Sequence, residues 1–285
     1  MPIEITSSAN EPICTLSQWA VGHEPAFIEA IAWLYVQRQS HATAVIKKLN
    51  PGITNFVGKE IDNAIDALRY RTADIAADLQ SADPEIKAKA AKKLVARVSH
   101  RDGLLFQHIS WLAARIQYPE AEATAPHVRV ADKGFDGFLI ERPTGTSAIA
   151  RVILCEDKAS TNPRPIVTGQ VWPEILAILD GQKDREIVAA VMALLSNLPA
   201  AEREEIIGAT IWNRVKHFRV ALAAGADQLK DGSYLHLFDG FDQQAAGDVS
   251  LRQAEVMPMP EVRAYLEDVA QKVVGRLNAM KAAHV

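Results

Sequence analysis

From its N-terminus the chain first shows apolar side chains at helical spacing. Ala26, Ile28, Ile31, Ala32, Leu34 and Tyr35 fall close to a 3.6-residue stripe, and Asn50-Pro51-Gly52 breaks the pattern. Ile61, Ala64, Ile65 and Leu68 share one face and predict a second helix over residues 58–79. Asp83-Pro84-Glu85 reads as a helix start, with Asp83 as cap and Pro84 at the first helical position. The lysine-rich stretch through Ala88, Leu94 and Val98 then presents one solvated side. Residues 103–117 (GLLFQHISWLAARIQ) predict a strongly apolar helix closed by Tyr118-Pro119.

After that point the spacing shortens. Segments of β character occupy 127–130, 135–140 and 149–155, and the loop RPTGTS (142–147) separates the last two. A helix follows over 166–179, where Pro173 is expected to kink or split it. Further helices are expected over 184–194 and from Glu202. Strands are expected over 217–222 and 251–256, and a last helix runs from Pro260 to Met280. The order helix, strands, helix, strand, helix predicts an α/β fold with a hairpin in a mixed sheet. A helical region over 1–98 precedes it, and the α/β domain spans 99–285.

Composition narrows the class without naming it. With 48% hydrophobic and 23% charged residues, the 285-residue chain has a globular balance rather than a disordered or fibrous one. No run of eighteen apolar residues predicts a membrane span, and the start MPIEITSSANEPIC has no apolar leader segment. Two cysteines, Cys14 and Cys155, suit a reducing cytoplasm, and Cys155 is expected as a core thiol. The eight histidines lack zinc-ligand spacing, and no phosphate-binding glycine loop is present. A net charge of −4 means that any phosphate-binding surface has to be a local patch. The densest basic stretch holds Arg214, Lys216, His217 and Arg219.

The candidate chemistry lies on the two strands around RPTGTS. In a hairpin the numbers of opposed residues sum to a constant, and pairing 136 with 156 centres the hairpin on residue 146, inside that loop. Asp136 and Glu156 can then face each other. Lys158 returns to the face of Glu156 if the strand stays extended, because strand side chains alternate with a period of two. Two carboxylates with an ammonium suit phosphodiester hydrolysis: the acids are hard oxygen ligands for Mg²⁺, and the lysine orients or activates water or neutralises charge. Lys133, Arg142 and Arg164 flank the place. Glu85-Ile-Lys87 repeats the acid-x-lysine spacing, but at a helix start without a hairpin acid. FDGF recurs at 238–241 without an acid-x-lysine triplet after it.

GFDGFLIE, a loop and RVILCEDK together resemble the PD-(D/E)XK, or restriction-endonuclease-like, nuclease superfamily over residues 101–223. Asp136 matches the first acid of the motif, Glu156 the second and Lys158 the lysine, while Phe135 stands where the motif's name has proline. The resemblance implies a restriction-endonuclease-like core and a catalytic set of Asp136, Glu156, Lys158 and Gln170. It also implies Mg²⁺ (or Mn²⁺) on Asp136 and Glu156, DNA as substrate with RNA as the other possibility, and Gln107 as an auxiliary residue. The arrangement also resembles nuclease subunits of bacterial anti-phage systems, including those paired with a helicase such as Hachiman, which implies a helicase or other defence partner. The competing reading is a non-enzymatic interaction or adaptor protein with a degenerate nuclease fold. There Asp136 is a turn acid and Glu156–Lys158 a solvated strand end.

Overall fold

The computed structural model describes residues 1–283 apart from 53–54, 71, 129–134, 143–150 and 213–215. The chain opens with two strands, β1 (Ile3–Asn10) and β2 (Thr15–Val21), and continues through helices α1 (Glu24–Tyr35), α2 (Gln39–Ile46), α3 (Glu60–Leu68) and α4 (Ala76–Leu79). The long helix α5 (Pro84–Gln117) leads to β3 (Glu122–Ala123), β4 (Gly137–Glu141) and β5 (Arg151–Ala159). Next come α6 (Pro163–Ile166), a π-helical turn over Val167–Val171, α7 (Trp172–Leu179), α8 (Asp184–Leu194) and α9 (Ala200–Trp212). The chain closes with β6 (Lys216–Gly225), α10 (Phe241–Gln244), β7 (Arg252–Met259) and α11 (Val262–Ala282).

The strands form one seven-stranded mixed sheet in the order β1-β2-β7-β6-β5-β4-β3, curled into a half-barrel and flanked by helices. Pairing is parallel across β2-β7-β6-β5 and antiparallel at both ends. Central parallel strands are apolar on both faces because helices cover both sides. On one face Ala221, Ala223, Met257 and Met259 pack against α1, α5 and α11 through Leu34, Leu105, Ile109 and Leu266. On the other, Leu154, Val220, Leu222 and Val256 meet Val171, Ile175 and Ile187, and Phe238 and Phe241 extend that core.

The hairpin register is the one expected: Gly137 pairs with Cys155 and Glu141 with Arg151. A Cβ on Gly137 would lie 3.2 Å from that of Cys155, so glycine lets the strands close beside Asp136. The tip of the hairpin lies outside the described residues.

Several elements differ from expectation, for identifiable reasons. Residues 1–21 supply two strands, although the N-terminal region was expected to be helical. Their polar, alternating side chains suit the antiparallel end of the sheet, where one face is less covered. The 58–79 helix ends at Leu68 and only a short turn, α4, follows. The 83–98 and 103–117 segments are instead one helix, because Gly103 sits mid-helix without ending it. The position near 98 proposed as a domain boundary therefore falls within α5. The β segment expected at 127–130 is not a strand at His127 and Val128; the strand is Glu122–Ala123, which pairs with Ile140 and Leu139. Pro173 does not split its helix: the backbone stays helical from Pro163 to Leu179, and the residues just before the proline, Val167–Val171, form a π-helical turn. Among the described residues no helix is long and apolar enough to cross a membrane.

Candidate functional site

Alternation along β5 sorts its side chains before any chemistry is considered. Val152 and Leu154 point toward α7, and Ile153 and Cys155 toward α5. The strand stays extended to Ala159, so Glu156 and Lys158 follow Leu154 onto the α7 side and Asp157 follows Cys155 onto the α5 side. Asp136 immediately precedes β4, one step beyond the Gly137–Cys155 pair, and so lies across from Glu156.

The three expected residues meet. Lys158 Nζ donates to Asp136 Oδ2 at 2.9 Å and to Glu156 Oε2 at 2.9 Å. Asp136 is fixed from two further directions: Gln107 Nε2 of α5 donates to its Oδ1, and the backbone N–H of Asp157 donates to its Oδ2 at 2.9 Å. Glu156 is only 8% exposed, which is not the solvated strand end of the adaptor reading. These groups line a cavity of about 790 Å³ whose wall also carries His127, Phe135, Phe138, Gln170, Glu174, Lys183 and Glu186. Gln170 is exposed on the π-helical turn, and it shares the cavity without a hydrogen bond to either acid among the described residues. Such turns recur at functional sites.

Burial dominates the electrostatics. It pushes Glu156 up to about 7, Lys158 offsets part of this, and the charges of Asp136 and Glu174 add to it. Burial alone would lower Lys158, but Glu156 and Asp136 together outweigh it and hold the lysine above its ordinary value. Two acids thus share one ammonium. The cation is held firmly, and the carboxylates remain undercompensated.

A buried ion network lies directly behind this centre. Arg219, 1% exposed, places Nη2 2.6 Å from Glu255 Oε2 and Nη1 3.6 Å from Asp157 Oδ1. It also donates to Ser110 Oγ at 2.8 Å, while its guanidinium lies 5.1 Å from the Trp19 ring centre. Ser110 Oγ in turn donates to Asp157 Oδ1 at 2.6 Å. Asp157 is pushed up by burial and pulled back by Arg219. The network therefore immobilises the residue whose backbone N–H holds Asp136. Sequence spacing does not reveal it: strand alternation turns Asp157 away from Glu156, and nothing in the spacing links it to Arg219 or Glu255. Glu174 was missed too, although its place one helical turn after Gln170 was available as a signal.

The expected basic patch dissolves on inspection. Arg219 is buried in the network, Lys216 faces Asp184 at 3.6 Å, and His217 is bonded to Ser250 O, while Arg214 lies outside the described residues. Arg142 pairs with Glu122 at 2.6 Å, and Arg164 donates to the carbonyls of Leu237 and Asp239. Lys133 lies outside the described residues. Cys155 is a core thiol, pushed up to about 12 chiefly by burial.

Two carboxylates converging on one position fit a hard divalent cation, which completes its coordination with water. Lys158 now fills the position between them, so a cation would replace at least one of its two contacts. Among the described residues no group of three or more His, Cys, Asp or Glu is gathered as a metal cluster. The donor set is thus the pair Asp136 and Glu156. Comparisons with protein-family models, curated proteins and solved structures return no match.

Proposed function

We propose that the chain is a divalent-metal-dependent nuclease of restriction-endonuclease-like fold that hydrolyses phosphodiester bonds in DNA. The observation that carries this reading is the Asp136–Lys158–Glu156 cluster on the paired strands β4 and β5, opening into a cavity large enough for a nucleotide. Asp136 and Glu156 would hold Mg²⁺ or Mn²⁺, which when bound supplies charge neutralisation at the phosphate and an acidified water. Gln107 and the Asp157 N–H keep Asp136 in one orientation, so the acid is preorganised. Lys158, held protonated by its two partners, contributes positive charge to the phosphate as negative charge grows there, rather than acting as a base. Gln170, on the facing wall of the cavity, would hold a water or a phosphate oxygen. A partner such as a helicase remains part of the proposal, since it would restrict where the nuclease acts.

The test is incubation of the purified chain with circular duplex DNA, linear duplex DNA, single-stranded DNA and RNA, in Mg²⁺ or Mn²⁺ and in EDTA. Metal-dependent breakdown of DNA is expected, and no breakdown of any substrate in either metal overturns the reading. The rate should also rise with pH through about 7, because Glu156 must lose its proton to take a cation. The linked stability change has a definite sign. An acid raised on folding binds more protons in the folded than in the unfolded state between the usual carboxylate range and about 7. The metal-free fold therefore loses stability as pH climbs through that window, and Mg²⁺ restores it. A rate independent of pH between 5.5 and 8 contradicts the role given to Glu156.

A further inference from the structure

The long helix α5 connects the centre to an otherwise unexplained surface. Its C-terminal half is buried and delivers Gln107 and Ser110 to the site, while its N-terminal half is largely exposed. That exposed half carries Lys87, Lys89, Lys92 and Lys93 against a single acid within the helix, Glu85. Arg97, on the same half, is already bound to Asp74 through both guanidinium nitrogens.

Helical phase orders these charges. At about 100° per residue, the eighteen residues from Lys89 to Gln107 make five whole turns, so the two share one line along the helix. His100 lies about 20° from that line, Lys93 and Gly103 about 40°, and Lys92 about 60°. Lys87 is about 160° away, on another face. His100, Lys93, Lys92 and Lys89 are all exposed, and among the described residues nothing lies within 4 Å of a Cβ placed on Gly103. Along one line of the helix the exposed Lys89, Lys92, Lys93 and His100 therefore lead toward the half-buried Gln107 that grips Asp136, the farthest of them about 27 Å from it.

Several of the chain's other surface cations are paired, although the exposed Lys47, Lys48, Lys59 and Lys230 take part in no ion pair among the described residues either. Lys272 faces Glu24 and Asp268, Lys281 faces Asp62, Lys183 faces Glu174 and Glu186, and Arg38 faces Glu60. Among the described residues, Lys89, Lys92 and Lys93 take part in no ion pair or hydrogen bond. In a chain of net charge −4, these three lysines, of which Lys93 also lies in the field of Asp74, form a local positive track along α5.

We infer that the α5 stripe of Lys89, Lys92, Lys93 and His100 is the phosphate-binding arm that guides duplex DNA into the Asp136–Glu156–Lys158 centre. The inference rests on the proposed function for its choice of nucleic acid; the stripe itself rests on helical phase and unpaired charge. A single rigid helix offers a straight rail, which matches a straight duplex better than a single strand that can curl. Its length corresponds to about eight base pairs at about 3.4 Å each.

The experiment is fluorescence anisotropy of the full chain in EDTA with a 30-base-pair DNA duplex, from 50 to 200 mM salt. Lys89→Gln/Lys93→Gln should weaken binding about tenfold and reduce the slope of log affinity against log salt by about two, near 0.9 for each lost phosphate contact. Lys47→Gln/Lys87→Gln removes the same charge from other faces and should change affinity less than about twofold. Equal losses in the two double variants, no loss in either, or no duplex binding by the wild type overturn the stripe. An equal loss on single-stranded DNA overturns the duplex assignment. Stripe-dependent binding by a chain that cleaves nothing keeps this inference and removes the nuclease reading, and cleavage that ignores the stripe does the reverse.

Discussion

Glu156→Gln and Lys158→Ala are each expected to lower the cleavage rate at least about 100-fold, the scale at which loss of one preorganised electrostatic group is felt. Their stabilities should part company, which separates chemistry from folding. Glu156 is a buried carboxylate held up at about 7 chiefly by burial, so the neutral amide relieves a cost at pH 8. The metal-free Glu156→Gln protein should unfold at a temperature no lower than the wild type. Lys158→Ala has the opposite effect, because it leaves Asp136 and Glu156 facing each other without their shared cation. That variant should be destabilised at pH 8 and recover as pH falls and Glu156 takes a proton. Thermal melts at pH 6 and 8 beside a cleavage assay read both effects. Cleavage retained in both variants removes the site assignment.

The largest loss of stability is expected behind the site, at Arg219. Its guanidinium is fully buried between Glu255, Asp157, Ser110 and the face of Trp19. Arg219→Met leaves Glu255 buried without a cation, which costs about 3–5 kcal/mol. In urea the midpoint should fall while the slope stays unchanged, since the exposed surface on unfolding is the same. Adding Glu255→Leu should recover part of the loss, because the isolated carboxylate is the costly species. Asp157 can take up a proton, given how far burial already raises it. A single variant as stable as wild type would mean that the network carries little of the fold. Recovery of fold without cleavage in the double variant would show that it also positions Asp157, whose N–H holds Asp136.

The legible parts of this chain were those in which local pattern and tertiary environment agree. The hairpin register followed from two acids and a turn, because a period of two leaves little freedom once one face is buried. The apolar run from Val152 to Cys155 marks a strand covered on both sides, and Pro173 falls just after a π-helical turn in an otherwise unbroken helix. What failed to show was long-range. β2 joins the sheet by pairing with β7, which begins more than two hundred residues later, and β1 joins it only through β2. The unity of α5 was hidden by a change of composition near Arg101: one half is solvated and the other buried, though the backbone continues. Arg219 read as a surface charge in a basic stretch. Its burial depends on Glu255 in the neighbouring parallel strand, which no local spacing reveals. Glu174 was passed over because its own segment contains only an isolated acid.

The most direct measurement of the centre is equilibrium Mn²⁺ binding at pH 8, followed by electron paramagnetic resonance, on the wild type, Asp136→Asn and Glu156→Gln. One site in the wild type, lost in both variants, is the expected result, since both carboxylates are needed to draw the position away from Lys158. No site in the wild type, or the same site retained in both variants, would contradict a metal centre built on Asp136 and Glu156.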